Sequence, residues 1–169
     1  MSAISEGQIR VFTDAVKHFF SQVTKDQIAI TSSFLAMDGN PVCHDYTGLI
    51  AVSGEFHGCV YFSAPRIMLR HLLISMGESD HRDENLLDLV GEVANTFSGN
   101  AREHFGPKFV ISVPVAVKGR PDRAKPAGVK SSPFVISVGW KSYSAAVVVC
   151  VEGDGGAEPA TRRTSVVEK

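Results

Sequence analysis

DENLLDLVGEVANTFSGNAREHFGP, residues 83–107, carries two faces in one segment. Leu86, Val90, Val93, Phe97 and Ala101 recur at helical steps, and Leu87, Leu89 and Ala94 widen that row into a stripe broad enough to line a core. Ser79 and Asp80 offer caps ahead of it, Asp83 and Glu84 stand at the positive end of the helix dipole, and Gly106-Pro107 closes it. A helix is therefore predicted from Asp83 to about His104. Away from the apolar row, Asp88, Glu92, Asn95, Gly99 and Arg102 follow one another by four, three, four and three residues. At about 100° per residue they fall on one narrow polar stripe. Gly91 lies beside the stripe and Gly99 within it, although a glycine inside a helix costs roughly 1 kcal/mol relative to alanine, so a close approach is expected there.

Working outward, the segment before this helix holds a second, shorter one. Pro65 sits where a missing N–H costs nothing, and Ile67, Met68, Leu69, Leu72, Leu73 and Met76 form an apolar face up to Gly77. Ahead of it, Thr47–Val52 and Gly58–Ser63 read as an antiparallel hairpin, and Ile28–Leu35 as a first strand ending in an Asp38-Gly39-Asn40-Pro41 turn. Gln8–Val23 is amphipathic and helical. Downstream, Phe109–Val117 reads as a strand interrupted by Pro114, which places it at a sheet edge or a bulge because proline cannot donate to the ladder. Phe134–Trp140 and Ala145–Val151 form a last hairpin. Helix, strand and paired strands thus occur twice, over 8–63 and 83–151. The expectation is an α+β, pseudo-duplicated domain over residues 1–151, with about three helices on a mainly antiparallel six-stranded sheet. Residues 152–169, polar and Gly-rich, are expected to be a disordered tail.

Composition narrows the function classes. A chain of 169 residues suits one domain, and 17 Lys plus Arg against 18 Asp plus Glu leave no field to draw nucleic acid or an anionic membrane. Lys118, Arg120, Arg123, Lys125 and Lys130 do gather in the loop 118–132, but without aromatic residues among them they read as a solvated loop. The N-terminal segment lacks the apolar run of a signal peptide, no stretch reaches membrane-spanning length, and Cys43, Cys59 and Cys150 lack ligand spacing; a soluble, cytoplasmic protein with reduced thiols is expected. The histidines 18, 44, 57, 71, 81 and 104 show no HxxxH or HExxH, so no intrinsic metal is expected. Neither GxSxG nor a phosphate loop is present.

A polar stripe is what any surface helix presents, and a bare ExxN is common. The longer string is more specific: Asp88, then Gly91-Glu92, then Ala94-Asn95, then Gly99-Asn100-Ala101. It resembles the signature helix of the CheC, CheX and FliY phosphatases, in which Asp or Ser is followed four residues on by Glu and three further by Asn. Gly58-Cys59-Val60-Tyr61-Phe62-Ser63-Ala64-Pro65 and Ile111-Ser112-Val113-Pro114 are similar to two further pieces of that family. The first helix has no ExxN, so the resemblance is to the single-site CheX branch rather than the two-site CheC branch.

The resemblance implies hydrolysis of an aspartyl phosphate on a CheY-like receiver domain in a chemotaxis or related two-component pathway. Asn95 would orient the attacking water and Glu92 would pair with the partner's lysine, with Asp88, Gly91, Gly99 and Arg102 in the docking surface. It further implies a homodimer, with Mg2+ carried by the phosphorylated partner rather than by this chain. Two other readings remain open on the residues alone: a CheX-like module that binds a receiver or signalling partner without catalysis, and a domain that shares only the fold.

Overall fold

A computed structural model describes residues 2–3, 5–38, 40–121 and 129–153. Its elements run β1 (Ser2–Ala3), α1 (Glu6–Val23), β2 (Ala29–Leu35), β3 (Tyr46–Gly54), β4 (Phe56–Ala64), α2 (Arg66–Ser75), α3 (Asp83–Phe105), β5 (Phe109–Ile111), β6 (Val115–Lys118), β7 (Phe134–Trp140) and β8 (Tyr143–Gly153). Local chemistry explains the boundaries. Ser5 and Gln8 close a reciprocal capping box on α1, with the Gln8 amide donating to the Ser5 oxygen and the Ser5 amide to the Gln8 side chain. Pro65 caps α2 from an extended conformation. Gly106, at φ 78°, turns the chain out of α3 while its N–H still reaches the Arg102 carbonyl.

All strands belong to one antiparallel sheet, ordered β2-β7-β8-β4-β3-β5, with β6 also on β3 and β1 on β8. Exchanging the halves (β2 with β5, β7 with β3, β8 with β4) reverses this order onto itself, so the duplication read from the sequence is a pseudo-two-fold about the central β4–β8 pair. The six expected strands become eight segments for two reasons. Pro114 divides the fourth expected strand, leaving β5 and β6 as separate pieces along the same side of β3, and the two-residue β1 adds itself to β8.

The helices cover one face of the sheet. Val60, Phe62 and Ala64 alternate inward from β4, Val147, Val149 and Val151 from β8, and they meet Phe12, Phe20, Leu69, Leu86, Val90, Val93 and Phe97 from the helices. Phe12 meets Phe97 edge to face at 6.1 Å, tying α1 to α3. Each such side chain is worth about 1.5–3 kcal/mol of transfer free energy. The other face carries a smaller cluster of Leu49, Cys59, Tyr61, Val135, Ala146, Val148 and Cys150, closed by Ala36 and Val129 from the connections. Cys59 and Cys150 stand opposite each other in the β4–β8 register, none of the three cysteines is in a disulfide, and burial pushes the Cys59 thiol far above its ordinary value.

The domain extends past its expected end. Glu152 belongs to β8 and is 1% exposed, its Oε1 accepting the Lys130 N–H at 2.6 Å and the Ser131 N–H, with His57 Nε2 3.7 Å from Oε2. A buried carboxylate held by two backbone amides is structural, though in the sequence it reads as the first polar residue of a tail. The expected disorder of the rest of that tail falls on residues 154–169, outside the described residues, as do Arg123 and Lys125 of the basic loop. Among the described residues no helix is long and apolar enough to cross a membrane.

Burial alone would raise the Glu152 pKa, but the Ser131 and Lys130 bonds and the nearby His57 outweigh it and hold the carboxyl below its ordinary 4.5. A depressed folded-state pKa contributes stability above the unfolded value and loses it as the pH falls through the folded one. Wild-type unfolding free energy should therefore drop on going from pH 7 to an acid pH below the ordinary carboxylate value. Glu152→Gln should cost about 1–3 kcal/mol at neutral pH and show a smaller drop, as urea titrations at both pH values would read. An unchanged drop would remove Glu152 from the account.

Candidate functional site

Why α3 presents its polar stripe outward follows from its apolar row. Leu86, Val90, Val93, Phe97 and Ala101 are fully buried, and the helix is unbroken over Asp83–Phe105, so the residues on its other side have only solvent to face. Asp88, Glu92, Asn95, Gly99 and Arg102 are all exposed and Gly91 is half-buried. The structure thus places the six sequence-predicted residues on one helix surface. Glu92 and Asn95 lie three positions apart, about 4.5 Å along the axis.

No described residue hydrogen-bonds or ion-pairs with the side chains of Asp88, Glu92, Asn95 or Arg102; the Glu92 main-chain carbonyl accepts the Thr96 hydroxyl at 3.0 Å. A carboxylate and an amide, one turn apart and uncommitted, can therefore both engage an outside group. Among the described residues one groove lies between the end of α1 and the start of β2 (Lys17, His18, Ser21, Asp26, Gln27, Ile28), and another lies at the far end of α3, where it takes in Arg102 from the end of the stripe. The latter is a groove of about 360 Å³ in which Arg102 meets Pro107, Phe109, Val110 and Ile111. Small-molecule sites are concave. A protruding Glu and Asn suit insertion into a partner's site.

Within the described fold, the two helix glycines meet no closely packed neighbour. A Cβ on Gly99 would find nothing within 4 Å, and one on Gly91 only the Ala116 methyl at 3.9 Å. No described neighbour requires glycine at either position. The close approach is made instead by Gly48 on β3, where a Cβ would stand 2.0 Å from the Val90 carbonyl oxygen. A glycine inside the strand-like run Thr47–Val52 is compatible with such an approach but does not tell which backbone comes close.

A second feature escaped sequence reading. The Asp83 carboxylate, in the first turn of α3, accepts the Tyr46 hydroxyl from β3, the Lys118 ammonium from β6 and Arg66 Nη1 from α2 at 3.2 Å. Lys118 and then Tyr46, as donors to the carboxylate, hold Asp83 below its ordinary pKa, and Tyr46 in turn is raised, by burial first and by that bond second. The basic loop residue Lys118 is thus part of a clamp rather than merely solvated. Arg120 likewise donates to the Pro41 carbonyl at 3.0 Å. Asp80, expected as a cap, instead takes the Arg82 backbone N–H and side chain, and Arg82 itself occupies the cap position. Among the described residues no three His, Cys, Asp or Glu side chains are grouped to hold a metal ion.

Comparison with known proteins adds to this geometry. The family model described as chemotaxis phosphatase CheX matches residues 46–137, a span that contains all of α3. Among solved structures, a CheC-like superfamily protein from Shewanella sp. PV-4 is 22% identical with a TM-score of 0.75, over 89% of this chain and 100% of that one. The chemotaxis protein CheX from Vibrio vulnificus is 19% identical with a TM-score of 0.72, over 86% and 99%. CheX from Borrelia burgdorferi, solved as a CheX–CheY–BeF3–Mg complex, is 15% identical with a TM-score of 0.67, over 86% and 97%. At these identities the structural likeness is one of fold. No curated protein sequence matches the chain.

Because Gly99 faces open space, Gly99→Ala should stabilise the protein by about 0.5–1 kcal/mol through helix propensity. Urea unfolding measures this directly, and a destabilised variant would show a constraint on Gly99 that the geometry lacks.

Proposed function

Because the chain belongs to the chemotaxis phosphatase family CheX, we propose that it hydrolyses the aspartyl phosphate of a CheY-like receiver domain, using Glu92 and Asn95. The observation that carries this reading is their joint exposure on one unbroken helix, uncommitted to any described neighbour, inside the family match. Such hydrolysis needs a water in line with the leaving carboxylate oxygen and little covalent help. The bond from phosphorus to the aspartyl oxygen breaks as the bond to the water oxygen forms, giving carboxylate and inorganic phosphate.

Asn95 suits the water. Its rigid amide can accept one water proton and offer a donor of its own, which fixes the oxygen's lone pair toward phosphorus. Glu92, about one turn nearer the helix N-terminus, would pair with the receiver's lysine and set the docked orientation. Asp88, Gly91, Gly99 and Arg102 extend the same surface along the helix, the glycines leaving it low enough for a partner's backbone. In this reading Mg2+ belongs to the receiver.

The proposal includes a homodimer. All seven residues of the edge strand β2 are exposed; it carries Ile30, Phe34 and Leu35 and no charge, and among the described residues it pairs only with β7. An exposed, uncharged edge of this kind, irregular in register only at Ile30–Ser32, invites a further strand, and a second copy supplies one. Light scattering at micromolar concentration should give twice the 18.2 kDa chain mass, whereas a monomer only would remove this part.

The roles of the two site residues separate kinetically. Asn95→Ala should slow single-turnover dephosphorylation at least about tenfold, roughly 1.4 kcal/mol of transition-state stabilisation, while leaving affinity for a beryllofluoride-loaded receiver intact. Glu92→Ala should weaken association as well as rate. If Asn95→Ala matches wild type in single turnover, Asn95 does not orient the water.

A further inference from the structure

Beneath the site, α3 comes closer to the sheet than a side chain permits. Gly48 on β3 is paired with Ala116 on β6, and a Cβ on Gly48 would lie 2.0 Å from the Val90 oxygen, 2.5 Å from the Val90 carbon and 3.2 Å from the Gly91 nitrogen. Those are helix backbone atoms, unable to swing aside. Glu92 is the next residue along. Two residues before Gly48 on the same strand, Tyr46 reaches Asp83, and Lys118, its register partner on β6, reaches the same carboxylate. The helix is therefore tied to one pair of strands at two points, Asp83 and Val90, about 10 Å apart along its axis. One point would fix its height alone; two fix height and direction together.

We propose that Gly48 and Asp83 are positioning residues for the reaction: Gly48 admits the Val90–Gly91 backbone and Asp83 anchors the first turn, holding α3 at the depth from which Asn95 meets the partner's phosphoryl group. This rests on the phosphatase reading of Glu92 and Asn95. A standard interface of about 800 Å² per partner has a radius near 16 Å, so a receiver that takes Asn95 into its site also rests on the sheet edge beside it. The edge is at hand, since the Ala116 methyl on β6 lies 3.9 Å from where a Gly91 Cβ would be. Reach is then the height of α3 above β6, and an error of about 1 Å can cost on the order of a hundredfold in rate.

The test uses the full chain. Gly48→Ala must lift the helix, because Cβ contacts under 3.0 Å do not occur in real proteins. A crystal structure should show α3 displaced from β3 by about 1 Å at Val90, and single-turnover dephosphorylation should fall at least about tenfold with affinity for beryllofluoride-loaded receiver changed less than about threefold. Asp83→Ala, a substitution near the surface that a folded protein should tolerate, should lower the rate in the same sense and also spare affinity. Ile136→Val trims the core on β7 and serves as the stability control, with unchanged rate. Folded Gly48→Ala and Asp83→Ala proteins with wild-type rates, or an equal loss in Ile136→Val, would overturn the proposal. Should wild type itself fail to hydrolyse any receiver, the phosphatase reading falls and takes the role in the reaction with it; an unmoved α3 in the Gly48→Ala crystal structure would separately overturn Gly48 as what sets the helix depth, and a lifted one would uphold that part alone.

Discussion

The contact of α3 with β3 carries the rest of this structure. Burial of Leu86, Val90, Val93 and Phe97 commits one side of the helix to the core, and that commitment turns Asp88, Glu92, Asn95 and Arg102 outward. The hydrophobic term fixes which face is buried, but it is non-directional and sets depth only loosely. Depth comes from Gly48, where backbone meets backbone, and direction from the Asp83 clamp. A nonspecific force and two specific contacts together give a surface helix a defined stance.

Around that contact the pseudo-two-fold sheet distributes its faces unequally. One face is thick with helices, and the other is closed by connections that bring Ala36 and Val129 over Tyr61 and Val148. Glu152 secures the second closure from within, by accepting two amides of the segment that follows Val129. The halves also diverge at their outer strands. On one side Pro114 splits the edge into β5 and β6, a common device against unwanted pairing; on the other, β2 remains continuous, uncharged and exposed.

Much of this was legible in residue order because it rests on short-range patterns. The period of α3, the hairpin spacings and the effect of Pro114 each depend on residues within about ten positions of one another. What stayed hidden depends on pairs far apart in sequence. Gly48 does not say which backbone lies above it, and Lys118 is by sequence one cation among five in its loop until β6 places it opposite Tyr46. Glu152 misleads for a third reason: polarity suggests exposure, and only the amides that bond it reverse the inference. The candidate site was readable as a stripe, whereas the chemistry proposed for it would be a property of two molecules.

A crystal structure of this protein with a beryllofluoride- and Mg2+-loaded receiver would locate the surface that enters the partner's site. The account predicts the Asn95 amide within hydrogen-bonding distance, about 3 Å, of the in-line water position, with Glu92 on the receiver's lysine. A complex in which the α3 stripe remains in solvent, and another surface covers the receiver, would contradict it.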